Sequence, residues 1–207
     1  MRPTPEMLMN NQSERISINQ VTGLVLAGGR GSRLGEIDKG FLDFEDQSLI
    51  KRQLNWITPQ VSSVLISANQ NLSDYEAFGH KVLKDCSDEF LGPLQGIYQG
   101  LAACTREWLF VQPVDVPNLP NNTISMLLSS IDDLDKCKKP SIYFLESEVR
   151  KHYLSMLIAK AELCNLRNYL DQGKNKVADF LQLQNAICLN LGFGESCFKN
   201  INRFSDL

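Results

Sequence analysis

TGLVLAGGRGSRLGEIDKGF, residues 22–41, sets an apolar β-type run directly against a loop of glycines and charges. A short apolar run that ends in glycine reads as a buried parallel strand. Gly28, Gly29, Gly31 and Gly35 follow, with Arg33 and Lys39 among and behind them. Glycines let backbone amides approach phosphate oxygens closely, and successive amides form an anion-binding nest. A simple turn needs one or two glycines, so a phosphate cradle is the stronger reading than a structural turn with solvated charges. The spacing is nevertheless unusual. A P-loop needs glycine directly before its lysine, and Asp38 stands there. A dinucleotide fingerprint needs a third glycine where Leu34 stands, and Gly35 comes one residue late.

Outward from this loop, strand-like and helix-like segments alternate. Ile50, Leu54, Ile57 and Val61 recur at helical spacing, with Ser48 as a candidate N-cap. SSVLISAN (62–69) reads as a strand. Ser73 and Glu76 form a capping box for a short helix, and HKVLKD (80–85) is a third strand ending in an acid. Gly92-Pro93 opens a helix with Leu94, Ile97 and Leu101 on one face; WLFVQPVD (108–115) is a fourth strand, again ending in an acid. Ile124, Leu127, Leu128 and Ile131 mark the next helix. The second half is less regular. It offers a strand pair at 141–146 and 153–159 joined by SEVRKH, helices at 162–170 and 176–184, and a late strand at 186–191. Such alternation implies βαβ units and a mostly parallel sheet. No repeat, low-complexity tract or linker divides the chain, and Pro140 is at most a soft seam.

Composition narrows the function classes. The chain has 207 residues, enough for one domain with a substantial core, and its net charge of −3 argues against a general nucleic-acid binder. No apolar run approaches the ~20 residues that span a bilayer, and the polar first 20 residues (MRPTPEMLMNNQSERISINQ) carry no secretory h-region. They read as a flexible N-terminal extension ahead of a single domain over residues 21–207. The six cysteines show no C-x-x-C pair and no zinc spacing, so reduced thiols in a cytoplasmic protein are expected. Two histidines, His80 and His152, argue against a histidine metal cluster.

Open parallel sheets bind ligands beyond the carboxyl ends of their strands. The glycine loop, Asp85 and Asp115 all fall at such ends, and this convergence weighs more than any one of them. Asp115, in QPVDVPNLP, reads alone as a turn aspartate or helix N-cap. Beside a phosphate loop it becomes a candidate Mg²⁺ ligand, because Mg²⁺ takes one or two carboxylates plus substrate phosphates. Asp85 would read a ribose or base, or simply cap. Arg150, Lys151 and His152 form either a solvated basic patch or a second anion site, and Lys174 and Lys176 pose the same question. Lys136, Lys138 and Lys139 read as surface charge offset by nearby aspartates.

LAGGRGSRLGEIDKGF closely resembles the L-A-G-G-x-x-x-R-[ML]-G-x-x-D-K loop of nucleotidyltransferases, and within them the MobA-like molybdenum cofactor guanylyltransferases. LKDCSDEFLGPLQGI resembles that family's D-…-G-P-L-x-G segment, QPVDVPNLP its P-x-D-x-P-x-[IL]-P, and CFKNINRFSDL its F-x-N-[IV]-N-T-P-E-[DE]-L ending. The motifs run in the family's order from about residue 22 onward, and the first 20 residues lie outside the resemblance. The resemblance implies an α/β, single-domain Rossmann-like fold with a mostly parallel central sheet flanked by helices. It implies GTP held by the backbone of Leu26, Ala27 and Gly28, phosphates held by Lys39 with Arg33, a nucleoside contact at Asp85 and Mg²⁺ on Asp115. The family's strand-end asparagine aligns with Ser67 here, with Asn69 two residues later. Arg150, His152, Asn200 and Asn202 fall where the family handles its pterin. The family's T-P-E is Arg203-Phe204-Ser205 in this chain, and its proline after the histidine is Tyr153.

The reaction so implied is GMP transfer from GTP to the terminal phosphate of molybdopterin, with pyrophosphate leaving. Cytidylyl transfer to the same pterin, transfer to a sugar phosphate, and non-catalytic nucleotide binding are the alternatives. The resemblance further implies contacts with other cofactor-assembly proteins, a monomer or weak oligomer, and neither nucleic acid nor membrane as partner.

Overall fold

The computed structural model describes residues 15–28, 38–85, 92–132, 134 and 140–201. Among them, seven strands form one sheet in the order β5-β4-β1-β6-β8-β7-β9. They are β1 (Val21–Leu26), β4 (Ser63–Ser67), β5 (Lys81–Leu83), β6 (Trp108–Pro113), β7 (Ile142–Glu146), β8 (Lys151–Ala159) and β9 (Ile187–Asn190). β2 (Asp43–Phe44) and β3 (Gln47–Ser48) make a separate small hairpin. β1, β4, β5 and β6 are parallel, β8 runs against β6 and β7, and β9 is parallel to β7. The mostly parallel sheet is as expected. β8 starts earlier than expected, so Lys151 and His152 belong to the strand rather than to the connection before it.

Strand alternation sends side chains to two cores. Val21 and Val25 face one with Phe110, and there α1 (Leu49–Ile57) and α4 (Thr123–Asp132) pack. Leu24, Leu109 and Val111 face the other, against α3 (Pro93–Ala103), α5 (Leu163–Asp171) and α6 (Val177–Leu183). The apolar stripes read from α1, α3 and α4 are the buried ones. α3 lies unusually close to the sheet because two of its residues lack side chains. A Cβ at Gly96 would stand 2.5 Å from Ser67 Oγ, and one at Gly100 would stand 2.6 Å from Leu24 Cδ2.

Two local expectations change. The capping box at Ser73 is not formed. α2 (Leu72–Glu76) is preceded by Asn71, which sits in the left-handed region at φ 49°, and Ser73 lies inside the helix. Asn71 makes no side-chain cap, and its amide donates to Asp38 Oδ2 at 3.1 Å. Within the stretch expected as a lead-in, residues 18–20 form a 3-10 turn closed by a Ser17–Gln20 capping box. No helix among the described residues is long and apolar enough to cross a membrane.

Candidate nucleotidyl-transfer site

Because β8 is reversed, its first residues meet the carboxyl ends of the parallel strands. In sheet order the edge carries Asp85 after β5, Asn69 after β4, Gly28 after β1, Asp115 after β6, and Arg150 and His152 at the start of β8. Arg33 and Asn202 lie outside the described residues.

Lys39 Nζ and Asp115 Oδ2 are 3.0 Å apart, both partly exposed. The pair joins two segments that the sequence places far apart. Lys39 opens a 3-10 turn (Lys39–Phe41) whose N-cap is Asp38. Asp38 accepts hydrogen bonds from the Gly40 amide at 3.0 Å and from the fully buried Tyr75 hydroxyl at 2.7 Å. Burial, then the hydrogen bond to Asp38, raises the Tyr75 pKa far above the ordinary phenol value, so the hydroxyl stays a donor. Phe41 packs on the same ring at 4.7 Å between centroids.

Asp115 is held by a different device. Pro113, Pro117 and Pro120 deprive its loop of amide donors, which leaves carbonyls that need partners. α1 supplies them. Gln53 Nε2 donates to the carbonyls of Val116 (2.6 Å) and Pro113 (3.2 Å), Arg52 Nε to Pro117 (3.2 Å), and Trp56 Nε1 to Pro120 (3.0 Å). Asp115 is therefore a turn residue lashed to a helix, with its carboxylate turned to Lys39. It caps no helix.

At the far end of the edge, Asn69 and Asp85 form a two-way clasp. Asn69 Nδ2 donates to Asp85 Oδ2 at 2.8 Å, and the Asp85 amide donates to Asn69 Oδ1 at 3.0 Å. Asp85 is 9% exposed, and its Oδ1 is buried with no hydrogen-bond partner among the described residues. A buried acceptor without a donor is costly, and a ligand N–H or O–H at this point removes that cost. The asparagine at the edge is thus Asn69. Ser67 is covered by α3: it is buried under Gly96, and its carbonyl accepts from the amides of Ala27 (2.8 Å) and Gly28 (2.9 Å). This also refines the nest. The amides of Ala27 and Gly28 are engaged within the sheet, and the Leu26 carbonyl accepts from Val114 at 3.0 Å. Residues 29–37, which carry the rest of the glycine loop in sequence, lie outside the described residues.

Arg150, Lys151, His152, Tyr153 and Asn200, with Pro113 and Val116, line a cleft of about 320 Å³ at the β6–β8 side of the edge. Arg150 Nε donates to Glu195 Oε1 at 2.7 Å, and His152 Nε2 lies 3.2 Å from Ser147 Oγ. Burial holds the His152 imidazole below its ordinary pKa, and Arg150 adds to this against the opposing pull of Glu195. Ser147 and Glu195 carry no motif signal, and only the fold shows them. Lys174 and Lys176 border a separate cleft with Tyr169 and Asp179, and Lys136, Lys138 and Lys139 lie outside the described residues.

No group of three or more His, Cys, Asp or Glu side chains among the described residues is arranged to hold a metal ion. Among the described residues, Asp115 offers a hard oxygen donor beside Lys39. That suits Mg²⁺, which is typically held by one or two carboxylates together with substrate phosphates and waters.

An open α/β sheet whose carboxyl edge gathers Asp85, Asn69, Lys39 and Asp115 beside a cleft has the architecture of a nucleotide-binding α/β protein. The chain belongs to the family of the MobA-like NTP transferase domain, whose model matches residues 23–186. It is 33% identical over 187 residues to a molybdenum cofactor guanylyltransferase of Yersinia pseudotuberculosis, covering 90% of this chain and 92% of that one. It is 32% identical over 194 residues to the enzyme of that name from Cupriavidus metallidurans, covering 93% and 95%. In structure it is similar to the molybdopterin-guanine dinucleotide biosynthesis protein A of Archaeoglobus fulgidus, at a TM-score of 0.69 and 18% identity over 89% of this chain and 94% of that one. At that identity the likeness speaks for the fold.

Proposed function

We propose that this protein transfers GMP from GTP to the terminal phosphate of molybdopterin, forming the guanine dinucleotide cofactor and pyrophosphate. The observation that carries the reading is the Lys39–Asp115 pair at 3.0 Å, set between the Asn69–Asp85 clasp and the Arg150–His152 cleft. Nucleoside, triphosphate and acceptor then lie in that order along one edge. The guanylyltransferase relatives favour this reading over cytidylyl transfer or a sugar-phosphate acceptor.

The chemistry asks for alignment and charge neutralisation more than for covalent help. A phosphate oxyanion is already a nucleophile, so no general base is needed, which suits a chain with two histidines. Asp85, through Oδ1, accepts from the nucleoside. Lys39 leaves Asp115 at little cost, since a partly exposed ion pair contributes only ~0–1 kcal/mol. It then holds charge on the departing pyrophosphate, with Arg33 as its partner. Mg²⁺ bound by Asp115 and the phosphates would neutralise charge at the reacting phosphorus. Arg150, His152, Asn200 and Asn202 hold the pterin. On this reading the protein works in the cytoplasm with other cofactor-assembly proteins, as a monomer or weak oligomer.

The test is pyrophosphate release from GTP and molybdopterin with Mg²⁺ present. Lys39→Ala and Asp115→Ala are each expected to lower turnover by ~100-fold or more, while thermal melts stay close to wild type. Full turnover by a folded Asp115→Ala protein would overturn the metal assignment.

A further inference from the structure

Glu195 lies in the C-terminal 3-10 turn Glu195–Phe198, and three polar groups converge on its carboxylate. Arg150 Nε donates to Oε1 at 2.7 Å, Ser147 Oγ donates to Oε2, and His152 Nε2 stands 3.6 Å from Oε2. Phe198, from the same turn, stacks on the His152 ring with centroids 3.8 Å apart and planes 7° from parallel. Arg150 and His152 line the acceptor cleft, whereas Glu195, Ser147 and Phe198 do not. The turn therefore grips the two cleft residues from behind. It leaves His152 with 10% of its side chain exposed, while Arg150 keeps 54% in solvent. A guanidinium held by its Nε edge still has N–H groups for a phosphate. An arginine ordered in advance also loses less freedom when that phosphate arrives.

We propose that Glu195 is the positioning residue of the acceptor site, aiming Arg150 and His152 at the anionic terminal phosphate of the acceptor. The segment 195–201 acts as one clasp, because the Ile201 amide donates to the Asp115 carbonyl at 2.8 Å and ties the acceptor side to the nucleotide side. Arg150 offsets the charge of Glu195, so what the carboxylate contributes is orientation rather than attraction. The proposal rests on the guanylyl-transfer reading for the identity of the acceptor.

Steady-state kinetics on Glu195→Ala, Glu195→Gln, Arg150→Ala and the Arg150→Ala/Glu195→Ala pair test it, with acceptor binding also followed by pterin fluorescence without GTP. Glu195→Ala should raise the acceptor KM about tenfold and leave the GTP KM unchanged, a misorientation effect of modest size. Glu195→Gln keeps one oxygen, which can accept from Arg150 or from Ser147 but not from both in this geometry, and should restore part of the loss. It carries the test alone if Glu195→Ala does not fold, with a KM rise confined to the acceptor. In the Arg150→Ala background, Glu195→Ala should add less than about twofold, because the two residues act as a unit. An unchanged acceptor KM, equal rises for both substrates, or full additivity with Arg150→Ala would each overturn the proposal. If wild-type protein neither binds nor turns over the pterin, both this proposal and the functional reading fall. If wild type transfers normally and Glu195→Ala matches it, this proposal alone falls.

Discussion

At the scale of single residues, the site depends on groups that never touch a ligand. Lys39 is aimed by Asp38, and Asp38 is aimed by a hydroxyl on a fully buried ring. Tyr75→Phe should cost ~1.5–3 kcal/mol in urea unfolding, the range for hydrogen bonds to charged groups. It should also lower turnover, though less than Lys39→Ala does, because the lysine remains and only its mooring slackens. Acid should loosen the acceptor side. Burial, reinforced by Arg150, holds His152 below its ordinary value of 6.5, and the Ser147 hydrogen bond holds Glu195 below 4.5. Both groups bind protons more readily in the unfolded chain, so their stabilisation is full above those values and is lost as pH falls through the folded ones. Melting temperature should therefore decline below pH 6.5, and His152→Gln should flatten the first part of that decline. A slope that His152→Gln leaves untouched would assign the effect elsewhere.

At the scale of elements, close packing does the positioning. α3 carries glycine where Ser67 and Leu24 press against it. Gly96→Ala should overpack this contact and cost ~1–3 kcal/mol, read as a lower urea midpoint. The parallel strands and the helices α1, α3 and α4 were legible in the sequence, because periodicity and glycine or proline punctuation are local signals. The glycines of residues 28–35 and the strand-end Asp115 stand out in the sequence for the same reason. The choice between Ser67 and Asn69 was not legible. In an unbroken strand two residues that far apart share a face, but β4 ends at Ser67; α3 covers Ser67, and Asn69, past the strand end, turns to Asp85. The capping box at Ser73 misled because α2 starts one residue earlier, at Leu72, after a left-handed Asn71, which puts Ser73 inside the helix. Glu195 was invisible, since its meaning comes from Arg150, Ser147 and His152 on the β7–β8 connection and β8.

At the scale of the whole molecule, the proposed function orders the substrates along the sheet edge: nucleoside at β5 and β4, phosphates at β1 and β6, acceptor at β8, following the strand order. A nucleotide that binds only the folded chain stabilises it by mass action, ~2.7 kcal/mol at one hundred times its Kd. With Mg²⁺ present, GTP should therefore raise the melting temperature more than ATP, CTP or UTP, and Asp85→Ala should erase the difference. Stabilisation by CTP alone would replace guanine with cytosine in the functional reading. The hydrogen bond from Ile201 to Asp115 has a temporal meaning as well. A ribosome emits the nucleotide half, through β6, long before β8 and residues 195–201 emerge. A nascent chain can thus gather the strands that hold its triphosphate while the acceptor side does not yet exist, and the clasp is among the last contacts to close. Synthesis order, written into the topology, would then keep a half-made transferase from engaging its second substrate.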